Sequence, residues 1–170
     1  LKGINKNDLL IFIATGSHRQ TTLNEINIMF DSYILENATI VNHNSENSSN
    51  LKYIGKTSKG TPIEINKDWA SCDLKITTGF VEPHFFAGFS GGPKMIAPGL
   101  AGIETIVNLH DYERIENSNS TWGITEGNPI HEEITEISQI LKCDFSIDVT
   151  LNRENQITAI YTGELISEHK

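Results

Sequence analysis

The sequence predicts an α/β fold in which a mainly parallel sheet is flanked by helices and carries added β-hairpins. Apolar, branched segments at 8–16 and 74–80 each end at or next to a glycine, which is typical of buried parallel strands. A segment with helical periodicity follows the first of them, as in a βαβ unit. Two alternating segments at 144–152 and 156–163 indicate a closing hairpin. The combination is Rossmann-like, and ligands of such sheets bind at the carboxyl ends of the strands.

The first helix is expected at 21–30, directly after the first strand. Thr22 and Glu25 have the spacing of a capping box, in which each side chain satisfies a backbone N–H of the other residue. Apolar residues at positions 23, 26 and 30 form one helical face, so we expect that face to pack on the sheet.

The remaining elements follow from apolar periodicity and turn residues. Asn128 and Pro129 mark the start of the clearest helix, in which isoleucine recurs at 130, 134, 137 and 140. In chain order we predict a strand at 38–44, an exposed polar loop at 42–50, a hairpin at 51–66 that turns at Lys59–Gly60, a short helix at 67–73, a glycine-rich loop after 80, helices at 100–110 and 128–141, and the start of a further helix within 163–170.

Composition argues against several classes of protein. The chain has 170 residues, enough for one domain, and a net charge of −9 without a basic stripe, which argues against a nucleic-acid partner. No apolar run approaches the ~20 residues that cross a bilayer, so we expect no membrane partner. Cys72 and Cys143 lie in no CxxC pattern and are expected to be free thiols. These features predict a cytoplasmic protein.

Three histidines lie where a site is expected. His18 follows the strand at 8–16, His84 follows the strand at 74–80, and His110 ends the helix after the glycine-rich loop. Imidazole transfers protons near neutral pH and ligates metals. No HxH or HExxH signature is present, so a self-contained zinc site has weak support. The other three histidines are expected to be exposed or structural, and they are His43, His131 and His169.

The glycine-rich loop contains the sequence GFSGGPK, with Gly91, Gly92 and Lys94. Such a backbone can approach a phosphate closely, although the loop matches neither GxxxxGK[ST] nor GxGxxG. A tight structural turn is an equally open interpretation. Lys94 could pair with a phosphate, or react covalently if its amine is deprotonated. Pro98 and Gly99 precede the next helix and again could favour an anion.

The segments ATGSHRQTT and PHFFAGFSGGPKMIAPGLAG…NLH together resemble the N-terminal domain of the lactate racemase family, the nickel-pincer nucleotide enzymes. His18, His84, Lys94 and His110 match that family in type, order and separation, with intervals of 66, 10 and 16 residues. Four chemically demanding residues at these intervals make the likeness specific. It extends over most of the chain, from the first strand to His110.

The resemblance implies a cofactor and the residues that hold it. The cofactor is nickel in a pincer nucleotide, a pyridinium-3,5-bisthiocarboxylate mononucleotide. Lys94 is implied to carry it through a thioamide, and His110 to complete the coordination of nickel. Pro98, Gly91 and Gly92 are implied to contact the cofactor. Protein made without the cofactor-synthesis enzymes, which are the implied partners in the cell, is expected to lack it.

The resemblance also implies a reaction. It is the racemisation or epimerisation of a small 2-hydroxy acid, first of all lactate, by hydride transfer to and from the cofactor. His18 and His84 are implied as the acid/base pair, one for each face of the planar keto acid. Arg19 is a candidate for binding the substrate carboxylate. Further hydroxyl groups that could contact phosphate or substrate are those of Thr15, Ser17 and Thr78.

The chain departs from the family pattern in two respects. Residues 1–170 are expected to be a fragment of the N-terminal cofactor-binding, catalytic domain, without the segment that precedes it and without the C-terminal domain, and therefore inactive alone. Gln20 stands where the family usually has proline after the arginine. Two alternatives stay open: a non-catalytic nucleotide- or phosphate-binding module, and a histidine-ligated zinc hydrolase.

Overall fold

The computed structural model describes residues 5–170 and has an α/β fold made of small sheets and short helices. The strands are β1 (Leu10–Ile13), β2 (Thr39–Asn42), β3 (Leu51–Lys56), β4 (Pro62–Asn66), β5 (Ile76–Phe80), β6 (Pro83–His84), β7 (Gly88–Phe89), β8 (Phe145–Leu151) and β9 (Ile157–Gly163). The helices are α1 (Leu23–Met29), α2 (Ser32–Asn37), α3 (Lys67–Ala70), α4 (Ile103–Leu109), α5 (Tyr112–Glu116), α6 (Pro129–Leu141) and α7 (Leu165–His169). Short 3-10 turns lie at Lys6–Asp8, Ser48–Asn50 and Gly92–Met95.

The mainly parallel, Rossmann-like sheet is not confirmed. Within residues 5–170 the strands form four small sheets, and two of the five strand pairs are parallel, β1 with β2 and β5 with β8. The pairs β3–β4, β6–β7 and β8–β9 are antiparallel. The two strands predicted as buried parallel strands, β1 and β5, each pair in parallel, but with different partners.

A groove separates β1 from β5 and explains the division of the sheet. It encloses about 350 Å³ and is lined by side chains of both strands, among them Phe12 and Thr78. Neither strand is paired on this side in the part of the chain that the structure describes. The four residues of β1 are therefore half-buried, whereas the sequence predicts a fully buried strand.

The hydrophobic core lies between β4, α4, α6 and the glycine-rich loop. Ile65, Leu109 and Ile137 are fully buried there, and each such side chain contributes about 1.5–3 kcal/mol of transfer free energy. The chain from Ile96 to Ala101 runs through the same core. The loop that contains the candidate site residues is thus anchored on a packed interior.

The helix α6 confirms the prediction from sequence. Asn128 caps it, and its side-chain oxygen accepts hydrogen bonds from the N–H groups of Ile130 and His131 at 3.0 and 3.2 Å. The amide of Asn128 also donates to the carbonyl of Phe86 at 3.0 Å. Through this residue the start of α6 is joined to the segment next to His84.

The predicted cap of α1 is confirmed, but the predicted packing of its apolar face is not. Thr22 and Glu25 form the predicted capping box. The expected apolar face is not buried, since Leu23 is 80% exposed and α1 has no buried residue. The short helix α2, which Asp31 caps, was not expected from the sequence.

Other local predictions are confirmed. Both hairpins form, and Gly60 adopts a φ of 89° in the turn between β3 and β4. Cys72 and Cys143 are free thiols. His43, expected to be an exposed or structural imidazole, is structural: it is buried, and its Nε2 lies 2.9 Å from the carbonyl of Ala101. None of the helices in residues 5–170 is long and apolar enough to span a bilayer.

Candidate functional site

The glycine-rich loop is shaped by backbone conformations that favour glycine. Gly91 and Gly92 have φ values of 72° and 49°, in the left-handed region that other residues rarely adopt. Gly92 begins the 3-10 turn Gly92–Met95, in which the N–H of Lys94 donates to the carbonyl of Gly91 at 3.1 Å. The loop therefore ends in a tight turn that presents Lys94, so the structural and the ligand-binding interpretations apply to the same residues.

Lys94 has the properties of a reactive amine. Burial lowers its pKa to about 8, against a smaller opposite effect from the charge of Glu82. Within the described residues its amine forms no ion pair with a carboxylate. About one tenth of the amine is therefore deprotonated, and hence nucleophilic, at pH 7, against far less than one hundredth for an ordinary lysine.

His84 and His110 lie on either side of one aromatic ring. The ring centroid of Phe86 is 4.5 Å from that of His84 and 4.9 Å from that of His110, and both contacts are edge-on. Burial, followed by the positive charges of Lys94 and His110, lowers the pKa of His84 to about 4. His84 thus lies close enough to Lys94 and His110 for their charges to change its pKa.

The two imidazoles differ in which nitrogen is free. The Nδ1 of His110 lies 2.6 Å from the carbonyl of Ile106, so a proton on Nδ1 leaves the Nε2 lone pair available to a metal ion. In His84 the Nδ1 accepts the N–H of Ala87 at 3.2 Å, which places the proton on Nε2. His110 therefore has the tautomer of a ligand, and His84 does not.

His18 lies on the neighbouring loop after β1. The N–H of Gly16 donates to the carbonyl of Gly99 at 2.9 Å, and this bond joins the His18 loop to the segment after Lys94. A Cβ at Gly16 would lie 3.2 Å from the carbonyl oxygen of Pro98, so the two segments are in close contact. His18 itself is exposed.

A cleft of about 520 Å³ lies beside His18 and is lined also by Arg19 and α1. Its lining does not include His84, Lys94 or His110. Arg19 is held there by Glu25, whose carboxylate oxygens lie 2.6 and 2.9 Å from the guanidinium nitrogens. Its role in binding a substrate carboxylate stays a prediction, since that role requires exchange of this partner.

Comparisons with known proteins identify the family. Residues 1–123 match the family described as "Lactate racemase N-terminal domain". The chain is 40% identical over 159 residues to the lactate racemase of Thermoanaerobacterium thermosaccharolyticum, covering 94% of this chain and 37% of the relative. This chain belongs to the lactate racemase family.

Other members and neighbours of the lactate racemase family agree with this assignment. The lactate racemase of Lactiplantibacillus plantarum is 37% identical over 160 residues, which are 94% of this chain and 38% of the relative. The lactate racemase apoprotein of T. thermosaccharolyticum, at 39% identity, superposes with a TM-score of 0.92 over 95% of this chain and 39% of its own. A Thermotoga maritima protein at 20% identity shares the fold, with a TM-score of 0.72 over 94% of this chain and 43% of its own.

The chain spans less than two fifths of the length of its lactate racemase relatives. Within residues 5–170, no three His, Cys, Asp or Glu side chains come together in an arrangement that could hold a metal ion. The convergence of His18, His84 and His110 on one ion, which a zinc hydrolase requires, is therefore not found there.

Sequence reasoning missed Asp148, which lies beneath the glycine-rich loop. This aspartate is 0% exposed and accepts the N–H of Gly92. The sequence carried no signal for this burial, because Asp148 lies on the polar face of an alternating strand together with Ser146 and Thr150, and that face is expected to meet solvent. In the structure the polar face is turned inward, and Phe145 and Ile147 of the apolar face are exposed. Asn128 was recognised as a helix cap, but its bond to Phe86 was not foreseeable from the local sequence.

Proposed function

We propose that this chain is the cofactor-binding and catalytic part of a racemase or epimerase of a small 2-hydroxy acid, with lactate as the first substrate to test. The observation that carries the proposal is the half-buried Lys94 amine, which has no ion pair among the described residues and a pKa lowered to about 8, near His84 and His110. An exposed structural lysine keeps its ordinary pKa. Membership of the lactate racemase family supports the same function.

The residues present fit a nickel-pincer nucleotide. Lys94 would hold it through an amide-type bond to an acyl arm, for which a deprotonated amine is required. His110 would bind nickel through its free Nε2, because Nδ1 is engaged by the carbonyl of Ile106. Gly91 and Gly92 shape the turn that carries Lys94; Asp148 and the ring of His169 fill the space beside them, so they would contact the cofactor through backbone atoms. Pro98 lies against Gly16 of the His18 loop.

When bound, the cofactor would supply the acceptor and donor for the hydrogen on the substrate's α-carbon. The residues of the chain would move the hydroxyl proton. His18 is exposed and accessible to a substrate in the cleft beside it. In His84 the proton is on Nε2 and the basic lone pair is on Nδ1, so Nδ1 would accept the hydroxyl proton after releasing the Ala87 N–H, which requires a rotation of the ring.

Arg19 would bind the substrate carboxylate in exchange for Glu25, since a guanidinium fork matches any carboxylate. The partners in this proposal are the hydroxy acid and the enzymes that make the cofactor. We place the protein in the cytoplasm, where its two free cysteines stay reduced.

The test is production together with the cofactor-synthesis enzymes, followed by intact-mass and nickel analysis. We expect the unaltered protein to gain the mass of the cofactor and one nickel. Lys94→Ala should gain neither, whereas His110→Ala should gain the mass and retain little nickel. Unmodified protein under these conditions, with the enzymes shown to load a known lactate racemase, would contradict the proposal.

A second experiment separates catalysis from binding alone. Racemisation is measured in the full-length protein, because residues 1–170 are expected to be inactive alone. There His18→Ala and His84→Ala should still carry the cofactor but racemise lactate about 10²-fold more slowly or worse, as expected for loss of a general acid or base. Full loading together with unchanged racemisation in both variants would remove the acid/base assignment. Loading without racemisation in the unaltered full-length protein would favour a non-catalytic binding module.

A further inference from the structure

The carboxylate of Asp148 is buried in a slot beneath the glycine-rich loop. Asp148 of β8 lies in register beside Gly79 of β5 and is 0% exposed. Its Oδ2 accepts a hydrogen bond from the N–H of Gly92 at 2.5 Å. A Cβ at Gly79 would lie 3.0 Å from Oδ1, and one at Gly91 would lie 2.7 Å from Oδ2. Two residues without side chains therefore form the space that this carboxylate occupies.

The segment held in this way carries Lys94. Gly91 lies immediately before the 3-10 turn Gly92–Met95, and the N–H of Lys94 donates to its carbonyl at 3.1 Å. On the other side, the Nε2 of His169 in α7 lies 2.8 Å from the carbonyl of Ser90. The start of the turn is thus fixed by contacts from both β8 and α7.

We propose that Asp148 is a positioning residue for Lys94: it holds the Gly91–Gly92 segment so that the lysine amine stays half-buried near His84. The proposal rests on the function proposed above for the role of Lys94 as the attachment point of the cofactor. A buried N–H that loses its acceptor must turn towards water. Without the carboxylate, the segment and the turn that follows move outward, and the amine of Lys94 becomes hydrated.

A second acid lies behind Asp148. Among the described residues, Asp148 Oδ1 and both carboxylate oxygens of Glu168 are buried without a hydrogen-bond partner. Burial raises the pKa of Glu168, the Ser146 hydroxyl opposes this to a smaller extent, and the charge of Asp148 adds a still smaller upward effect. Glu168 therefore retains a proton to higher pH than an exposed glutamate, which limits the negative charge near Asp148.

The experiment measures the reactivity of Lys94 in protein that is produced without the cofactor-synthesis enzymes and therefore carries no cofactor. Acetic anhydride labelling is followed by peptide mass spectrometry from pH 6 to 11, with the exposed Lys52 as internal reference. We expect half-maximal labelling of Lys94 near pH 8. In Asp148→Ala the pH of half-maximal labelling should rise by about one unit or more. The deprotonated fraction of Lys94 at pH 8 then falls from about one half to about one tenth, and the labelling rate falls roughly fivefold. In Asp148→Asn the amide oxygen still accepts the Gly92 N–H, and the rate stays within about twofold.

A second variant covers the case in which Asp148→Ala does not fold. Gly79→Ala keeps the carboxylate but places a Cβ 3.0 Å from Oδ1, and Gly79 does not have a left-handed φ. We expect it to shift the Lys94 profile upward by less than Asp148→Ala. In the Asp148→Ala background the added methyl has no carboxylate to displace, so the two effects are non-additive.

A folded Asp148→Ala protein with an unchanged Lys94 profile overturns the proposal, as does Asp148→Asn with a shift equal to that of alanine. Thermal unfolding is measured in parallel, because a loss of stability alone leaves the Lys94 profile relative to Lys52 unchanged. The labelling requires no cofactor. A missing cofactor mass on Lys94 would therefore contradict the proposed function while the labelling still decides the role of Asp148.

Discussion

Replacing Lys94 with glutamine is expected to raise the pKa of His84. Its pKa falls from an ordinary value of 6.5 to about 4, with burial as the largest cause, the charge of Lys94 next and that of His110 last. Since the lysine is the second of three contributions, it accounts for at most half of a shift of about 2.5 units. Its removal should return about one unit or less. Glutamine is neutral, as an acylated lysine is. Attachment of a cofactor to Lys94 would therefore also raise the pKa of His84, towards neutral pH.

The assay is an NMR titration of the histidine Cε1–H resonances, with that of His84 assigned from a His84→Gln variant. Lys52→Gln removes an equal charge at an exposed position of β3 and should leave the titration of His84 unchanged. If the pKa of His84 in folded Lys94→Gln lies within about 0.2 unit of its value in the unaltered protein, the charge of Lys94 does not act on His84 and the reasoning fails.

Three further outcomes are expected. Asn128→Ala should lower the free energy of unfolding by about 2–4 kcal/mol in urea, because it removes a helix cap and leaves two backbone carbonyls without donors; a loss under about 0.5 kcal/mol would contradict these contacts. In the cofactor-loaded enzyme, Arg19→Gln should raise KM for the hydroxy acid more than it lowers kcat, and Glu25→Gln, which frees the guanidinium, should lower KM. Unchanged KM in both variants would exclude Arg19 from substrate binding. Burial lowers the pKa of His43 and of His131 below the ordinary 6.5, so the unfolded chain binds more protons below about pH 6.5 and stability falls on acidification. The urea midpoint should be lower at pH 5 than at pH 7, and a higher one would refute the sign.

Local signals predicted much of the fold. The helix α6 follows from Asn128, Pro129 and isoleucines at helical spacing, and both hairpins follow from turn residues between alternating segments. These elements depend on residues close in sequence. The division of the sheet depends instead on which strands meet at the free edges of β1 and β5, and no local pattern specifies that choice.

The candidate site was predictable to a similar extent. The positions of His84, Lys94 and His110 along the chain indicated a shared neighbourhood, and the structure places them in one. The burial of His43 depends on Ala101, 58 residues away, and the slot for Asp148 depends on glycines of two other segments. Such contacts arise from tertiary packing, which periodicity and turn chemistry do not encode.

The groove between β1 and β5 has a kinetic consequence for the proposed reaction. His18 is carried by the sheet of β1 and His84 by the chain that leaves β5, so no shared ladder sets the separation of these imidazoles. The Gly16–Gly99 hydrogen bond bridges the two bodies near the site. Turnover would therefore respond to substitutions along the floor of the groove, such as at Phe12 or Trp69, although neither side chain meets the substrate. Amide exchange should register the same division, with β1 and β2 opening before β5 and β8.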